Sequence, residues 1–207
     1  MPPTAIRFIL SALCVAWLSL PVAARDLPAL FSVTGVAAND VLNIRTEPRA
    51  SSPIIGFHAP DASGVEVIAM SEDGRWGRVN SGEQAGWSAM RFLNREAGPH
   101  WQSGEVGLSC FGTEPFWRVD FFLPSSRAEF EGINEGSFEL VTDAGTLPST
   151  YWPQTMAIPF SGARNGMAVL RREACNDGMS DMDFGLGLLI YWRGEREGLS
   201  GCCVLAP

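Results

Sequence analysis

The chain has 207 residues, and its 15 basic side chains are all arginines, against 23 acidic ones. The formal net charge of −8 at pH 7 argues against a protein that binds the phosphate backbone of nucleic acids. The absence of lysine excludes a Schiff-base mechanism and a P-loop lysine. Only two histidines, His58 and His100, are available for metal binding or general base catalysis. The length predicts one or two domains.

The first 24 residues have the features of a secretory signal. Arg7 gives the start of the chain a positive charge, and the segment Phe8 to Leu20 is mostly apolar. Val22 and Ala24 are suited to the −3 and −1 positions of a cleavage site, so we expect cleavage after Ala24 and a periplasmic or secreted protein. Two alternatives stay open: a retained membrane anchor, although a spanning helix needs about 20 apolar residues, and lipidation at Cys14.

Four cysteines follow the predicted signal: Cys110, Cys175, Cys202 and Cys203. An even number in an oxidising compartment predicts two disulfides. Of the three possible pairings, the one that joins the adjacent pair requires a strained bridge. If it is excluded, Cys110 and Cys175 each bond to one cysteine of the tandem pair, in an order that the sequence leaves open. The cysteines lack the Cys-x-x-Cys spacing of zinc and redox sites, and we predict no metal site and no cofactor.

The rest of the chain predicts an all-β protein. Short apolar or alternating runs are separated by Gly, Asn, Asp and Ser at the spacing that is typical of all-β chains. These runs are residues 41–44, 65–69, 76–79, 117–122, 137–141, 167–170 and 184–192. All four cysteines after the signal follow residue 100, so the composition changes there. We predict a signal over 1–24, a first module over 25–97, a linker over 98–104 and a C-terminal β domain of unknown function over 105–207.

The first module carries several motifs in a recognisable order. They are Leu42-Asn43-Ile44-Arg45, Val65-Glu66-Val67-Ile68, Gly74-Arg75-Trp76-Gly77-Arg78-Val79 and Gly86-Trp87. In this order they resemble the bacterial SH3-like (SH3b) family, over about residues 33–94. The resemblance implies a small SH3-like barrel, followed in this chain by a second, disulfide-stapled antiparallel β domain.

The same resemblance implies a binding function. Modules of this family bind peptidoglycan peptides or other envelope proteins, and the residues that match their groove are Asn43, Arg45, Trp76 and Trp87. Exposed aromatic rings beside polar groups are suited to holding a peptide. The alternative is that the two tryptophans pack in the core while Asn43 and Arg45 stabilise turns. We expect His58 to be an ordinary surface residue in a long loop.

The second module contains three unusual segments. They are Gly112-Thr113-Glu114-Pro115-Phe116-Trp117, Cys175-Asn176-Asp177-Gly178-Met179-Ser180-Asp181 and Gly201-Cys202-Cys203. Together they resemble a family of uncharacterised exported bacterial proteins, over about residues 105–204. That resemblance implies a fold and a compartment but no activity. Because proline cannot donate a hydrogen bond to a sheet, we expect a strand to begin after Pro115.

Acidic residues in this module allow two chemical alternatives. Asp177, Asp181 and Asp183 are close enough in sequence to hold Ca²⁺, but the favoured interpretation is a turn in which Ser180 and Asp181 cap backbone groups. Glu114 could act as a general acid beside apolar rings, but a carboxylate that stabilises a turn is favoured.

The favoured function is a non-catalytic envelope protein that binds peptidoglycan peptide or an envelope protein. Residues 101–207 contain no histidine, so the usual cysteine peptidases and zinc amidases lack an essential residue. The first alternative is an inhibitor or chaperone-like partner of an envelope enzyme, and the second is a carboxylate-dependent glycosidase. Tyr151-Trp152 and Tyr191-Trp192 could line a groove, with one ring of each pair inward and one outward.

Overall fold

A computed structural model of the chain describes residues 26–143, 147–148 and 153–206. At residues 147–148 only the backbone is described. The predicted signal, Cys14 and the pair Tyr151-Trp152 lie outside the described residues. Within them the secondary structure is β-strands and short 3-10 turns, without an α-helix, so the predicted all-β class is confirmed. None of the helical segments in this part of the chain has the length and hydropathy to cross a membrane.

The first eight strands form two small antiparallel sheets. They are β1 (Ala29–Val33), β2 (Leu42–Arg45), β3 (Ile54–His58), β4 (Val65–Val67), β5 (Ala69–Met70), β6 (Trp76–Ser81), β7 (Gln84–Ala89) and β8 (Leu93–Arg95). One sheet has the strand order β4-β1-β8 and the other β3-β2-β7-β6-β5. Their inner faces share one core of apolar side chains, in which Leu27, Ile44, Val67 and Val79 are at most 1% exposed.

The predicted runs cover β2, β4, β5 and β6 but miss β1, β3, β7 and β8. The segment Ala29–Val33 pairs with both β4 and β8, so it is the centre of the first sheet. The run 65–69 is divided between the two sheets, because Val67 ends β4 and Ala69 begins β5. Val65 and Val67 therefore belong to the core, whereas Ala69 is half-buried.

The remaining strands form the second module. They are β9 (Gly107–Thr113), β10 (Phe116–Phe122), β11 (Arg127–Gly132), β12 (Gly136–Thr142), β13 (Leu147–Pro148), β14 (Thr155–Gly162), β15 (Gly166–Cys175), β16 (Phe184–Trp192) and β17 (Leu199–Ala206). Strand β10 begins directly after Pro115, as the sequence predicts. The order β12-β11-β10-β9-β17-β16-β15-β14 closes into an eight-stranded barrel because β12 also pairs with β14.

Side chains fill the interior of this barrel. An eight-stranded barrel is just wide enough inside for packed side chains. The interior is made of alternate residues of each strand, among them Phe121, Phe130, Ile158 and Leu188, all at most 1% exposed. Trp192 packs edge-on against Phe130, with 5.3 Å between ring centroids. The barrel is thus a solid core rather than a channel.

Two disulfides join the strands, and both use the tandem cysteines. Cys110 is bonded to Cys203 and Cys175 to Cys202. Cys110 and Cys203 are paired residues of β9 and β17, and both belong to the barrel core. Cys202, the neighbour of Cys203, points to the opposite side of β17, where it reaches Cys175. The prediction of two bridges, one from each tandem cysteine, is confirmed.

Candidate functional site

The four predicted ligand-binding residues lie on one side of the five-stranded sheet. Asn43 and Arg45 are the half-buried positions of β2, whose other two side chains belong to the core. Trp76 in β6 and Trp87 in β7 are also half-buried and alternate with buried neighbours. Because alternate residues of a strand share a side and paired strands keep that side in common, the four residues share the solvent side of the sheet. We call this side the outer face.

Trp87 forms the centre of the outer face and is paired with an arginine on each neighbouring strand. Arg45 pairs with Trp87, and Trp87 pairs on its other side with Arg78. The guanidinium carbon of Arg78 lies 5.3 Å from the centre of the Trp87 ring, within the range of a cation–π contact. Trp76 is two residues before Arg78 in β6 and is therefore a diagonal neighbour of Trp87. Arg78 was not singled out by the sequence pattern, although its spacing from Trp76 places it on the same side.

Strand β3 extends the outer face with apolar side chains. Ile54 pairs with Arg45, and Phe57 pairs with Asn43. Both apolar side chains are exposed, Ile54 to 54% and Phe57 to 66%. The outer face thus combines guanidinium groups, indole rings and exposed apolar surface in one continuous sheet.

Arg45 also stabilises a turn, as the alternative interpretation holds. Its Nη1 donates a hydrogen bond to the carbonyl oxygen of Ser52 at 2.7 Å. The hydroxyl of Ser52 donates in turn to the carbonyl of Glu47 at 2.9 Å, which closes the turn between β2 and β3. This bond uses one of the five N–H donors of the guanidinium. Arg45 is therefore held in position at one nitrogen and has further donors for a ligand.

The second module borders the outer face at Arg78. Nε of Arg78 donates to Oδ2 of Asp183 at 2.8 Å, and Nη2 of the same guanidinium lies 2.6 Å from this oxygen in an ion pair. The side chain of Asn80 donates to the carbonyl of Asp183 at 2.8 Å and accepts from its backbone N–H at 3.1 Å. Asp181 adds backbone hydrogen bonds to Glu83 and Ala85, each of 2.9 Å. The segment 176–183 therefore docks on the β6–β7 hairpin.

That docking segment is organised by an internal turn. Oδ1 of Asp177 accepts from the backbone N–H groups of Met179 at 3.0 Å and Ser180 at 2.9 Å. Although partial burial opposes ionisation, these hydrogen bonds lower the pKa of Asp177. The predicted turn is correct, and Ser180 caps it by accepting from Met182 N–H at 3.2 Å. Asp181 acts through its backbone rather than as a side-chain cap. Among residues 26–143 and 153–206, clusters of three His, Cys, Asp or Glu side chains suited to a metal ion are absent.

The Gly-Thr-Glu-Pro-Phe-Trp segment is the hairpin between β9 and β10. Oγ1 of Thr113 donates to the carbonyl of Asp177 at 2.8 Å, which connects this hairpin to the docking segment. Glu114 is exposed at the hairpin turn, so the apolar enclosure that a general acid requires is not found there. Phe116 is 52% exposed.

The position of the Trp117 ring explains why glycine occupies positions 112 and 201 in the sequence signatures. A Cβ on Gly112 would lie 2.3 Å from Nε1 of Trp117, and a Cβ on Gly201 would lie 2.7 Å from Cζ2 of the same ring. Trp117 is itself 4% exposed and belongs to the barrel core. The segments that begin at Gly112 and Gly201 are therefore adjacent in space, with the indole between them.

Two further expectations have clear outcomes. His58 is half-buried at the end of β3 rather than in a loop, because the strand continues to this residue. Burial lowers the pKa of His58. The expectation of an ordinary surface histidine is therefore wrong. Of the pair Tyr191-Trp192, Tyr191 is 54% exposed and Trp192 is 6% exposed. One ring outward and one inward is the arrangement that strand alternation predicts.

Comparisons with family models, with curated proteins and with solved structures found no match to this chain.

Proposed function

We propose that this protein is a non-catalytic binding protein of the cell envelope, periplasmic or secreted, whose first module binds peptidoglycan peptide on the outer face. The observation that carries the proposal is the row Arg45–Trp87–Arg78 on three neighbouring strands, in which the guanidinium of Arg78 lies over the Trp87 ring. Exposed Phe57 and Ile54 extend this row on one side.

The chemistry of the row suits a short peptide with free carboxylates. A guanidinium binds a carboxylate through directed hydrogen bonds, and indole rings pack against small alkyl side chains. Arg45 has donors beyond its bond to Ser52, and Trp76 widens the aromatic surface beside Arg78. The resemblance of the module's motifs to SH3b modules supports the same ligand class.

The disulfides support the compartment. Disulfides persist in oxidising environments such as the periplasm and the extracellular space. Cys110–Cys203 and Cys175–Cys202 are of this kind, and the sequence of residues 1–24 predicts the export that brings the chain there.

Retention on purified, enzyme-free peptidoglycan tests the proposal. We expect the full mature chain to be retained and a stem peptide added in solution to release it. Trp76→Ala and Arg45→Ala should lower retention about tenfold, the effect of losing one aromatic or charged contact at the centre of an interface.

Tyr191→Ala is the control, because Tyr191 is an exposed aromatic side chain of the barrel and does not belong to the outer face. It should leave retention unchanged, and thermal unfolding should show that all three variants are folded. Absence of retention of the unmodified chain, or equal loss in Tyr191→Ala and Trp76→Ala, contradicts the proposal.

One observation favours a second candidate, a protein that binds or inhibits an envelope enzyme. Strand β3 is an edge of the five-stranded sheet, and two of its side chains, Ile54 and Phe57, are exposed and apolar. Such an edge accepts an added strand from a partner protein. A photo-crosslinking residue at Phe57 should capture a protein in the native envelope if this candidate is correct, and sugar-peptide fragments if the first is correct.

A further inference from the structure

The two arginines of the row on the outer face differ in the charge of their partners. Arg45 donates to an uncharged group, the carbonyl oxygen of Ser52. Among residues 26–143 and 153–206, a carboxylate within ion-pair distance of Arg45 is absent. Arg78, by contrast, has the carboxylate of Asp183 at 2.6 Å. Within these residues, the row therefore carries its uncompensated positive charge at Arg45, whereas the second module neutralises the charge of Arg78.

The backbone of Asp183 is docked beside Arg78. The side chain of Asn80, two residues after Arg78 in β6, binds both the carbonyl oxygen and the N–H of Asp183, at 2.8 and 3.1 Å. Two backbone hydrogen bonds of Asp181, each of 2.9 Å, hold the preceding part of the segment on the same hairpin. An ion pair on a fixed backbone loses less entropy than a pair of long, exposed side chains. The Asp183 carboxylate therefore competes effectively with the carboxylate of a ligand for Arg78.

The charge of Asp183 also opposes a second carboxylate at Arg78. A ligand carboxylate bound to the same guanidinium would lie within about 4–6 Å of the Asp183 carboxylate, and like charges at this separation repel each other. What Arg78 still offers a ligand is the surface that its guanidinium forms together with the Trp87 ring beneath it. Arg78 is thus suited to packing against a ligand, and Arg45 to binding its charge.

We propose that Asp183 is a specificity-determining residue of the peptide site, which by occupying Arg78 restricts the outer face to one ligand carboxylate, bound by Arg45. This inference rests on the proposed peptide-binding function and specifies the ligand more narrowly. It also adds a residue of the second module to a site that otherwise belongs to the first. A peptide with two carboxylates gains no affinity from the second one, because the guanidinium that could receive it is already occupied.

Calorimetric titration of the full mature chain with four stem peptides tests the inference. The peptide L-Ala-γ-D-Glu-L-Lys-D-Ala has two carboxylates, the α-carboxylate of its glutamate and the terminal one. The other three probes have the first, the second or both of these groups converted to amides. In the unmodified chain, one amidation should lower the affinity about tenfold, the usual effect of losing a hydrogen bond between charged groups, and the other should leave it unchanged. The amidation that lowers the affinity identifies the carboxylate that Arg45 binds.

Two variants assign the carboxylates to the arginines. Arg45→Gln should make the affinity independent of the first amidation, because the guanidinium that binds this carboxylate is gone. Asp183→Asn removes the competing charge at nearly constant size, so the second amidation should now lower the affinity about tenfold as well. The double variant Asp183→Asn/Arg78→Gln should lose this new dependence. Comparing each acid with its amide on the same variant cancels any general effect of the substitution on the site.

Asp73→Asn is the matched control, because Asp73 forms an exposed ion pair with Arg75 in the same module but outside the row. It should retain the affinity pattern of the unmodified chain, and thermal unfolding should show that every variant is folded. The inference is overturned if both amidations or neither lower the affinity of the unmodified chain, if Asp183→Asn keeps the unmodified pattern, or if Asp73→Asn acquires the new dependence. Absence of binding of all four peptides instead contradicts the peptide-binding function itself, and this inference with it.

Discussion

Asp183 of the barrel module and Arg78 of the first module are separated by 105 residues in sequence and joined by a hydrogen bond of 2.8 Å within an ion pair whose shortest N–O distance is 2.6 Å. The pair is partly shielded, since the side chain of Arg78 is 23% exposed. Arg78 also lies over Trp87 at the centre of the outer face. The contact between modules and the candidate peptide site therefore share one side chain.

Removal of this contact should loosen the docking segment 176–183. Asp183→Ala removes the hydrogen bond and the ion pair with Arg78 and should lower the free energy of unfolding by about 1 kcal/mol. Hydrogen exchange should increase at the backbone N–H groups of Asp181 and Ala85, which bridge the modules. Asp73→Ala is the control, because it removes an exposed ion pair with Arg75 within one module. Unchanged hydrogen exchange in Asp183→Ala would contradict the prediction, because it would show that the backbone hydrogen bonds of Asp181 hold the docking segment without the Asp183 side chain.

Glu66 should make the stability of the protein depend on pH. Burial raises the pKa of Glu66 to about 8, although a hydrogen bond from the backbone N–H of Leu205 opposes this effect. Between about pH 4.5 and about pH 8, Glu66 is protonated in the folded state and ionised in the unfolded state. The free energy of unfolding therefore falls as the pH rises through this range.

Glu66→Gln removes this titration and should be more stable than the unmodified chain at pH 8, by up to about 4 kcal/mol. The two proteins should converge near pH 4, as measured by urea unfolding at a series of pH values. Glu135→Gln, at an exposed turn, should leave the pH profile as it is. A profile of Glu66→Gln with the same slope as the unmodified chain would disprove the assignment.

The two disulfides should contribute unequally. Cys110–Cys203 closes a separation of 93 residues and Cys175–Cys202 one of 27. Loop-closure entropy then predicts losses of about 4.6 and about 3.5 kcal/mol when each bridge is replaced by two alanines. Urea unfolding of the two double variants measures this order. Because Cys175–Cys202 holds the base of the docking segment, its loss should also increase hydrogen exchange at 176–183. An increase only after the loss of Cys110–Cys203 would contradict this role of Cys175–Cys202.

Gly201→Ala should destabilise the barrel strongly. A Cβ at this position would lie 2.0 Å from the carbonyl oxygen of Phe111, which is backbone and cannot move aside, and 2.7 Å from Trp117. We expect a loss of at least about 2 kcal/mol in the free energy of unfolding, as is usual for overpacking. Gly98→Ala has open space for its Cβ and should be neutral within about 0.5 kcal/mol. Similar melting temperatures for Gly201→Ala and Gly98→Ala would contradict the prediction, because they would show that the barrel accommodates the new Cβ at position 201.

Much of the fold could be predicted from local pattern. The alternation in Leu42-Asn43-Ile44-Arg45 places two side chains inward and two outward, and the structure has this arrangement. The segment 184–192 coincides with strand β16. The two disulfides follow from an even number of cysteines and from the position of Cys202 and Cys203 side by side in one strand. These features depend on neighbours in sequence, whose geometry in a strand is fixed by the period of two.

The remaining features depend on residues distant in sequence. No local pattern indicates that Arg78 meets Asp183 or that Glu66 reaches Leu205. The sequence by itself determined the all-β class, the four residues that share the outer face and the number of disulfides. Only the tertiary structure decided the closure of the barrel, the order of the disulfides and the contacts between modules, because strand pairing and module docking select among many distant partners that local alternation does not distinguish.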